Sequence, residues 1–287
     1  MSGYVEGILV LLAINIVFAY GAFLPIAAGQ LNLGVACFAA IGGYASAYLS
    51  NTSAISALVA IPLGGLVAGI VALAVAIPVL RTRGIYLALA TFALGEIVRA
   101  SILNLEVVGG AAGYPVTQFI RFPTVALFAL GVTAFVWLLF ATRFGIALTA
   151  VHDDERVADL MGLNVRAFQV SAFVLGSILA GIGGGLYAHH FSYIEAQYFG
   201  ISLSISIVLY VLFGGTQSVL GPLLGAAVFT LLPELLRGSA QWRYVLFAAI
   251  LIVVMVVRPQ GLVTGTQVRR LLGFARDPFR PKAEQAA

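Results

Sequence analysis

The sequence predicts an all-α fold, a bundle of hydrophobic helices that crosses a membrane several times. Of its 287 residues, 61% are hydrophobic and only 9% carry a charge, against about 25% in an ordinary soluble domain. Apolar runs long enough to cross a bilayer recur along the chain. Their summed length fits about eight or nine transmembrane or re-entrant helices. We predict a single transmembrane domain over residues 1–265, followed by a basic cytoplasmic tail over residues 266–287.

Charge and cysteine content argue against several other classes of protein. All but one of the 15 basic residues are arginines, and they lie mainly at helix ends and in the tail. That distribution indicates membrane topology rather than nucleic-acid binding. The single cysteine, Cys37, allows neither an internal disulfide nor a four-cysteine metal site. We therefore expect membrane lipid as a partner, and neither nucleic acid nor a metal ion.

The first two hydrophobic segments differ in character. Residues 4–24 carry one charge and stop at Pro25, as a first spanning helix would. The second segment, residues 29–49, opens with glycines and polar side chains at membrane depth, which favours a broken or re-entrant helix over a plain span. A full span gives nine crossings and a re-entrant loop gives eight. The two alternatives place the N-terminus on opposite sides, and both stay open.

Two arginines set the orientation of the next helices. The apolar run at residues 54–80 ends in Arg81 and Arg83, which place this short loop in the cytoplasm because cytoplasmic loops are enriched in basic residues. Residues 85–103 then cross back. They lead into a long glycine-rich connection, residues 104–123, on the opposite side.

The only dense charge cluster in the body of the chain follows the run at residues 124–141 and occupies residues 143–166. With this loop in the cytoplasm, four crossings return the basic tail to the same side; they are residues 168–189, 201–213, 219–236 and 244–257. Three glycine pairs spaced four apart are predicted to let helix backbones approach closely: Gly65/Gly69, Gly181/Gly185 and Gly221/Gly225.

Residues 143–166 have the periodicity of a short surface helix. Apolar side chains recur near helical spacing at Ala147, Ala150, Val151, Val157, Ala158 and Met161. Asp153, Arg156 and Asp159 occupy another face, and Gly162 is well placed as a stop. Two interpretations stay open. Either Arg156 pairs with both aspartates on a solvated helix, or the helix docks onto a cytoplasmic partner.

Several blocks, in order along nearly the whole chain, carry a family resemblance. They are LNLG at residues 31–34, AIGGY at 40–44, RGIYLALATFALGEI at 83–97, the loop at 145–164, AGIGGGLYA at 180–188, GGTQS at 214–218 with GP at 221–222, and RPQGL at 258–262. This pattern resembles the permease subunits of branched-chain amino acid ABC importers, of the LivM type.

The resemblance implies a multi-pass permease of the bacterial inner membrane. Such a chain translocates branched-chain or related amino acids, or similar small amide or acid solutes. The implied partners are a second, LivH-type permease subunit, two cytoplasmic ATPase subunits and a periplasmic solute-binding protein. The chain has one lysine, Lys282 in the tail, and so lacks a phosphate-binding loop of its own. We expect a transport subunit without an ATPase site and without a bound cofactor, with ATP used by the partner subunits.

The resemblance also gives the 143–166 loop a role, because it resembles the coupling helix that docks in a groove of the ATPase. His152 departs from the family pattern, in which an arginine is frequent at this place. The residues expected to couple to the ATPase are Ala150, His152, Asp153, Asp154, Glu155, Arg156, Ala158, Asp159 and Gly162.

Polar residues inside the predicted spans are candidates to line a solute pathway. Gln30 and Asn32 lie at the interrupted helix. Tyr86, Thr91 and Glu96 lie along the predicted helix at residues 85–103. The alternative is hydrogen bonding between helices, including a simple pair between Glu96 and Arg99. The His189-His190 pair is a poor metal site, because adjacent residues point to different helix faces.

Two other functions compete with the importer. An ion-coupled secondary transporter or channel usually needs ionisable groups within the membrane, yet residues 8–80 contain no Asp, Glu, Lys, Arg or His. A membrane-embedded enzyme needs a convergent acid, base or metal cluster, and the sequence offers only the group at residues 189–195.

Overall fold

The computed structural model describes residues 3–53 and 55–236, with the isolated positions 248, 249, 252, 256, 261 and 262. The regular elements of this part of the chain are α1 (Gly3–Ala27), α2 (Val35–Ser53), α3 (Ala57–Val79), α4 (Ile85–Leu103), β1 (Tyr114–Pro115), α5 (Phe122–Ala141), α6 (Arg143–Asp153), α7 (Glu155–Leu160), α8 (Val165–Phe191), β2 (Tyr193–Ile194), α9 (Ile201–Gly214) and α10 (Leu220–Leu235). Short 3-10 helices form at Glu106–Val108, Gly110–Ala112 and Ala196–Phe199.

Five helices of the described ranges are long and apolar enough to cross a membrane, namely α1, α3, α4, α5 and α8. Helices α9 and α10 have 14 and 16 residues, fewer than the roughly 20 that a crossing needs. The predicted helical membrane protein is therefore confirmed. The predicted last helix, residues 244–257, lies largely outside the described residues, and the tail at residues 266–287 lies wholly outside them.

Helix α8 is the centre of the bundle and packs against α1, α2 and α3. Glycines make this close packing possible. A Cβ atom on Gly42 of α2 would overlap the backbone of Gly181, and one on Gly184 would overlap the backbone of Ala39. Gly65 and Gly69 of α3 contact isoleucines of α8 in the same way. The packing role predicted for the glycine pairs is confirmed, since each lies against a neighbouring helix.

Loop contacts define the two ends of the bundle. At one end, Arg83 of the α3–α4 loop forms an ion pair with Glu155 of α7, with 3.4 Å between Nη1 and Oε2. We call this the arginine end; it also carries the turn after α1, because Gly29 lies beside His152 of α6. At the opposite end, Asn51 at the close of α2 donates from Nδ2 to the Pro115 carbonyl at 2.7 Å.

A small antiparallel ribbon departs from the predicted all-α fold. Tyr114 pairs with Ile194 and Pro115 with Tyr193, which ties the long loop after α4 to the chain that leaves α8. Ser192 has a left-handed φ of 55° and ends α8 there. Two-residue strands leave no periodic pattern in a sequence, since β periodicity needs about four residues to be seen.

Helices α9 and α10 form a tightly packed pair beside α1. A Cβ on Gly214 would overlap the Gly221 carbonyl, so the two helices meet backbone to backbone. Tyr20 of α1 donates to the Val219 carbonyl at 3.1 Å, and Asn15 donates to Thr230 Oγ1 at 3.0 Å. Helix α10 therefore runs antiparallel to α1, away from the arginine end.

Candidate functional site

The segment between α1 and α2 is irregular yet buried, and polar side chains satisfy its backbone. Asn32 is 2% exposed, and its Oδ1 accepts from the Gly34 N–H at 2.8 Å. Thr91 of α4 is fully buried, and its Oγ1 accepts from the Leu33 N–H at 3.0 Å. Buried irregular backbone is stable only where such partners replace the missing helical hydrogen bonds. We call residues 28–34 the helix break.

Of the five residues predicted for the solute pathway, the structure brings Asn32 and Thr91 together beside Gly34. Gln30 of the helix break is 3% exposed, and its Oε1 has no hydrogen-bond partner within the described ranges. Tyr86, in contrast, is 71% exposed. Glu96 pairs with Arg99, with 2.6 Å between Oε2 and Nη2. Residues five apart on a helix point about 140° away from one another, so Tyr86 and Glu96 face away from Thr91.

The predicted single surface helix over residues 143–166 is wrong, because the chain breaks at Asp154. This residue is extended, with φ −156° and ψ 108°. Its Oδ1 accepts from the Arg156 N–H at 2.8 Å and the Val157 N–H at 3.1 Å. The carboxylate thus caps a new helix, α7, and competes with continuation of α6. Gly162, at φ 83°, follows the end of α7 and confirms the predicted stop.

The break splits the predicted apolar stripe between two surfaces. On α6, Ala147 and Val151 are buried against the bundle. On α7, Ala158 is 3% exposed, whereas Leu160 and Met161 are 88% and 80% exposed, and Val157 is also exposed. We call the outward face of Val157, Leu160 and Met161 the α7 apolar face. The sequence analysis missed Leu160, although Leu160 and Met161 follow Val157 by three and four residues, which is a helical signal.

The nine predicted coupling residues have different environments. His152, Asp153, Asp154, Arg156, Asp159 and Gly162 are exposed, Ala150 and Glu155 are half-buried, and Ala158 is buried. Neither predicted partner of Arg156, Asp153 or Asp159, forms an ion pair with it in the described part of the chain. Glu155 instead turns inward, towards Arg83 and towards the Gln169 amide at 2.8 Å.

A short contact path joins this segment to the helix break. A Cβ on Gly29 would lie 3.8 Å from the Cα of His152, which is ordinary van der Waals contact. From Gly29 the chain continues through Gln30 to Leu33, whose N–H donates to Thr91. A displacement of α6 would therefore reach a buried polar cluster within the bundle after a few residues.

The histidine pair at the opposite end holds loops in place. His189 is fully buried, with Nε2 2.9 Å from Ser46 Oγ and Nδ1 2.9 Å from the Gln118 carbonyl. His190 Nδ1 lies 3.0 Å from the Ile120 carbonyl. Among the residues that the structure describes, no group of three His, Cys, Asp or Glu side chains is arranged to hold a metal ion.

Apolar spans, a buried helix break and a polar segment at one end define the chain as a multi-pass helical membrane protein. Residues 4–256 match the family model described as the branched-chain amino acid transport system permease component. The chain belongs to this family. The resemblance that the glycine-rich blocks suggested is thus confirmed.

Two curated relatives are the high-affinity branched-chain amino acid transport system permease proteins LivM of Escherichia coli and Salmonella typhimurium. Each is 28% identical over 83% of this chain, and the chain spans only 65% of the length of each. A third is the probable branched-chain amino acid transport permease protein LivH of Methanocaldococcus jannaschii, 25% identical over 93% of this chain and 91% of the relative. No solved structure matches the chain significantly.

Proposed function

We propose that this chain is the permease subunit of an ABC importer in the bacterial inner membrane. It carries branched-chain or related amino acids, or similar small amide or acid solutes. A second, LivH-type permease completes the pathway, a periplasmic binding protein delivers the solute, and two cytoplasmic ATPase subunits use ATP. The chain itself takes no part in ATP chemistry. Family membership and the names of the relatives support this proposal.

The single observation that carries the energy-coupling part is the α7 apolar face. Leu160 and Met161 are almost fully exposed on a short helix outside the apolar spans. Burial of a side chain of this size stabilises a contact by about 1.5–3 kcal/mol, so the α7 apolar face favours a docking partner. We assign that partner as the ATPase. The α7 apolar face supplies apolar contact, and the exposed coupling residues His152 and Asp153 supply its polar rim.

The contact path from α6 to the helix break gives this docking a way to act. Movement of the docked segment would shift His152 against Gly29, and thereby the cluster of Gln30, Asn32 and Thr91. We place these three residues on the solute pathway. Docking can change the populations of the inward-open and outward-open states only through such contacts that differ between them.

We infer a topology with the arginine end in the cytoplasm. Helix α2 extends from the helix break to the end where Asn51 meets the loop after α4, which supports a full crossing. Helices α1, α2, α3, α4, α5 and α8 then cross, α9 and α10 form a re-entrant pair, and the predicted helix at residues 244–257 crosses last. This arrangement places the N-terminus in the periplasm and the basic tail in the cytoplasm.

Uptake and copurification test the proposal. We expect uptake into membrane vesicles to need ATP and the partner subunits, and Leu160→Glu with Met161→Glu to abolish both ATPase copurification and uptake. Val107→Glu is the matched control, because Val107 is 66% exposed at the opposite end. Uptake by this chain alone, driven by an ion gradient, would support the secondary transporter instead. Unchanged ATPase copurification by the double variant would rule out the α7 apolar face as the docking site.

A further inference from the structure

A polar cavity of about 460 Å³ opens at the arginine end, beside the helix break. The charged side chains in its wall come from the α3–α4 loop, from α7 and from the first turn of α8; they are Arg81, Arg83, Glu155, Arg156, Asp159 and Arg166. Four arginines against two carboxylates leave the cavity net positive. Its volume lies in the range of ordinary small-ligand pockets.

Most of this positive charge is unpaired. Glu155 is already occupied by Arg83 and by the Gln169 amide. Arg81, Arg156 and Arg166 have no ion-pair partner within the described ranges. Helix α4 also begins at the cavity, and Gly84 before it offers no side-chain cap. An uncapped helix N-terminus adds free N–H groups and the positive end of the helix dipole, so the cavity attracts an anion.

Gln30 forms a buried part of the cavity wall. It contributes to the cavity wall, is 3% exposed, and its Oε1 has no hydrogen-bond partner among the described residues. A buried acceptor without a donor is unfavourable. Oε1 itself is enclosed, so the arginines and not this oxygen would meet a ligand in the cavity.

The position of the cavity indicates where such a ligand comes from. It lies where α3 ends and where α4 and α8 begin, and all three are long apolar helices. Their ends are at the level of lipid headgroups, and Leu80 and Leu87 provide apolar wall beside the arginines. Clusters of basic residues next to the cytoplasmic ends of spans attract anionic lipids.

We propose that this cavity binds the headgroup of an anionic phospholipid, as in phosphatidylglycerol. The arginines hold the phosphate. The proposal rests on the cytoplasmic placement of the arginine end given above. A lipid bound here joins α7 to the α3–α4 loop and to α8, so it fixes the coupling segment against the bundle.

Native mass spectrometry of the full chain, purified with its partner subunits, tests this site with phosphatidylglycerol as the probe. We expect the double variant Arg81→Gln with Arg166→Gln to bind phosphatidylglycerol about 25-fold more weakly, because each basic residue near an anionic surface contributes about 1 kcal/mol. Arg143→Gln is the matched control, an exposed arginine at the same end and outside the cavity wall. Phosphatidylcholine should bind the three proteins equally weakly.

Three results would overturn the proposal. Equal retention of phosphatidylglycerol by the double variant and the control would show that the cavity does not bind it. Inorganic phosphate that competes as effectively as the lipid would identify a free anion as the ligand. Loss of the ATPase subunits with lipid retention unchanged would assign the arginines to a protein contact. Lipid retention is measured without transport, so its failure would leave the solute and ATP dependence of the proposed function untouched.

Discussion

Gly184 lies at the tightest approach between α8 and α2. A Cβ at this position would overlap the Ala39 backbone rather than the end of a flexible side chain, so neither helix can yield without moving. In a membrane, helix association depends on such close contact, because lipid tails compete equally for apolar side chains. The glycine-rich block is therefore a packing surface.

We expect Gly184→Ala to destabilise the protein by about 1–3 kcal/mol, the usual cost of overpacking. Thermal denaturation in detergent, followed by loss of the monodisperse chromatographic peak, measures the change. Gly131→Ala is the control, because nothing lies within 4 Å of a Cβ placed there on α5. Equal thermal stability of the two variants would contradict the close packing of α2 and α8.

Individual polar residues show which side-chain positions can be predicted from the sequence. The glycines and amides at residues 29–34 indicated an interrupted helix, and the structure has an irregular segment there, between α1 and α2. Their partners were not predictable, because Thr91 is 58 residues from Leu33 along the chain. Tyr86 and Glu96 each lie five residues from Thr91, so the helical repeat points them away from it. This difference in direction could have been predicted from the sequence.

Helix boundaries followed the sequence wherever an apolar run ended in charge or glycine. Helix α4 begins and ends as predicted, at Ile85 and Leu103, and α5 begins two residues before the predicted start. The 143–166 segment did not follow its periodicity. The Asp154 carboxylate accepts hydrogen bonds from two backbone N–H groups and begins a second helix, α7. The side chains of Leu160 and Met161 therefore point outward.

Two substitutions of Asp154 separate its charge from its cap. Asp154→Asn keeps a side-chain acceptor that caps about as well, whereas Asp154→Ala removes the cap at a cost of about 1 kcal/mol. We expect the first to retain most ATPase copurification and uptake, and the second to weaken both, because α7 then frays and the α7 apolar face is lost. Charge reversal to Lys would remove charge and cap together and could not distinguish them.

Pull-down of the ATPase subunits and uptake in vesicles measure the effects of the two Asp154 variants. Similar defects in Asp154→Asn and Asp154→Ala would assign the role to the charge. Wild-type behaviour of Asp154→Ala would mean that the position of α7 does not matter for docking.

The ends of the bundle divide the loops into two sets. The break after α1, the α3–α4 loop and the α6–α7 segment contact one another at the arginine end. The long loop after α4, the end of α2 and the ribbon after α8 meet at the other end. Alternation of six long helices between the two ends is what the proposed topology requires.

Cysteine labelling in intact cells tests that topology. The natural Cys37 is buried, so it leaves a low background. With a membrane-impermeant maleimide we expect Glu106→Cys and Gly3→Cys to be labelled from outside, and Asp159→Cys to be labelled only after the membrane is opened. Labelling of Asp159→Cys in intact cells would reverse the orientation and remove the basis for ATPase docking at α7.

Composition, run length and arginine placement were enough to predict a helical membrane protein and the approximate position of most helices. These properties follow from the bilayer, which demands long apolar stretches and satisfied backbone groups whatever the neighbours are. The three-dimensional structure was needed for the exposure of Leu160, the pairing of Glu155 with Arg83 and the meeting of Asn32 with Thr91. Those depend on contacts between residues far apart in the chain and on competition between a side chain and its own backbone, which no periodic pattern records.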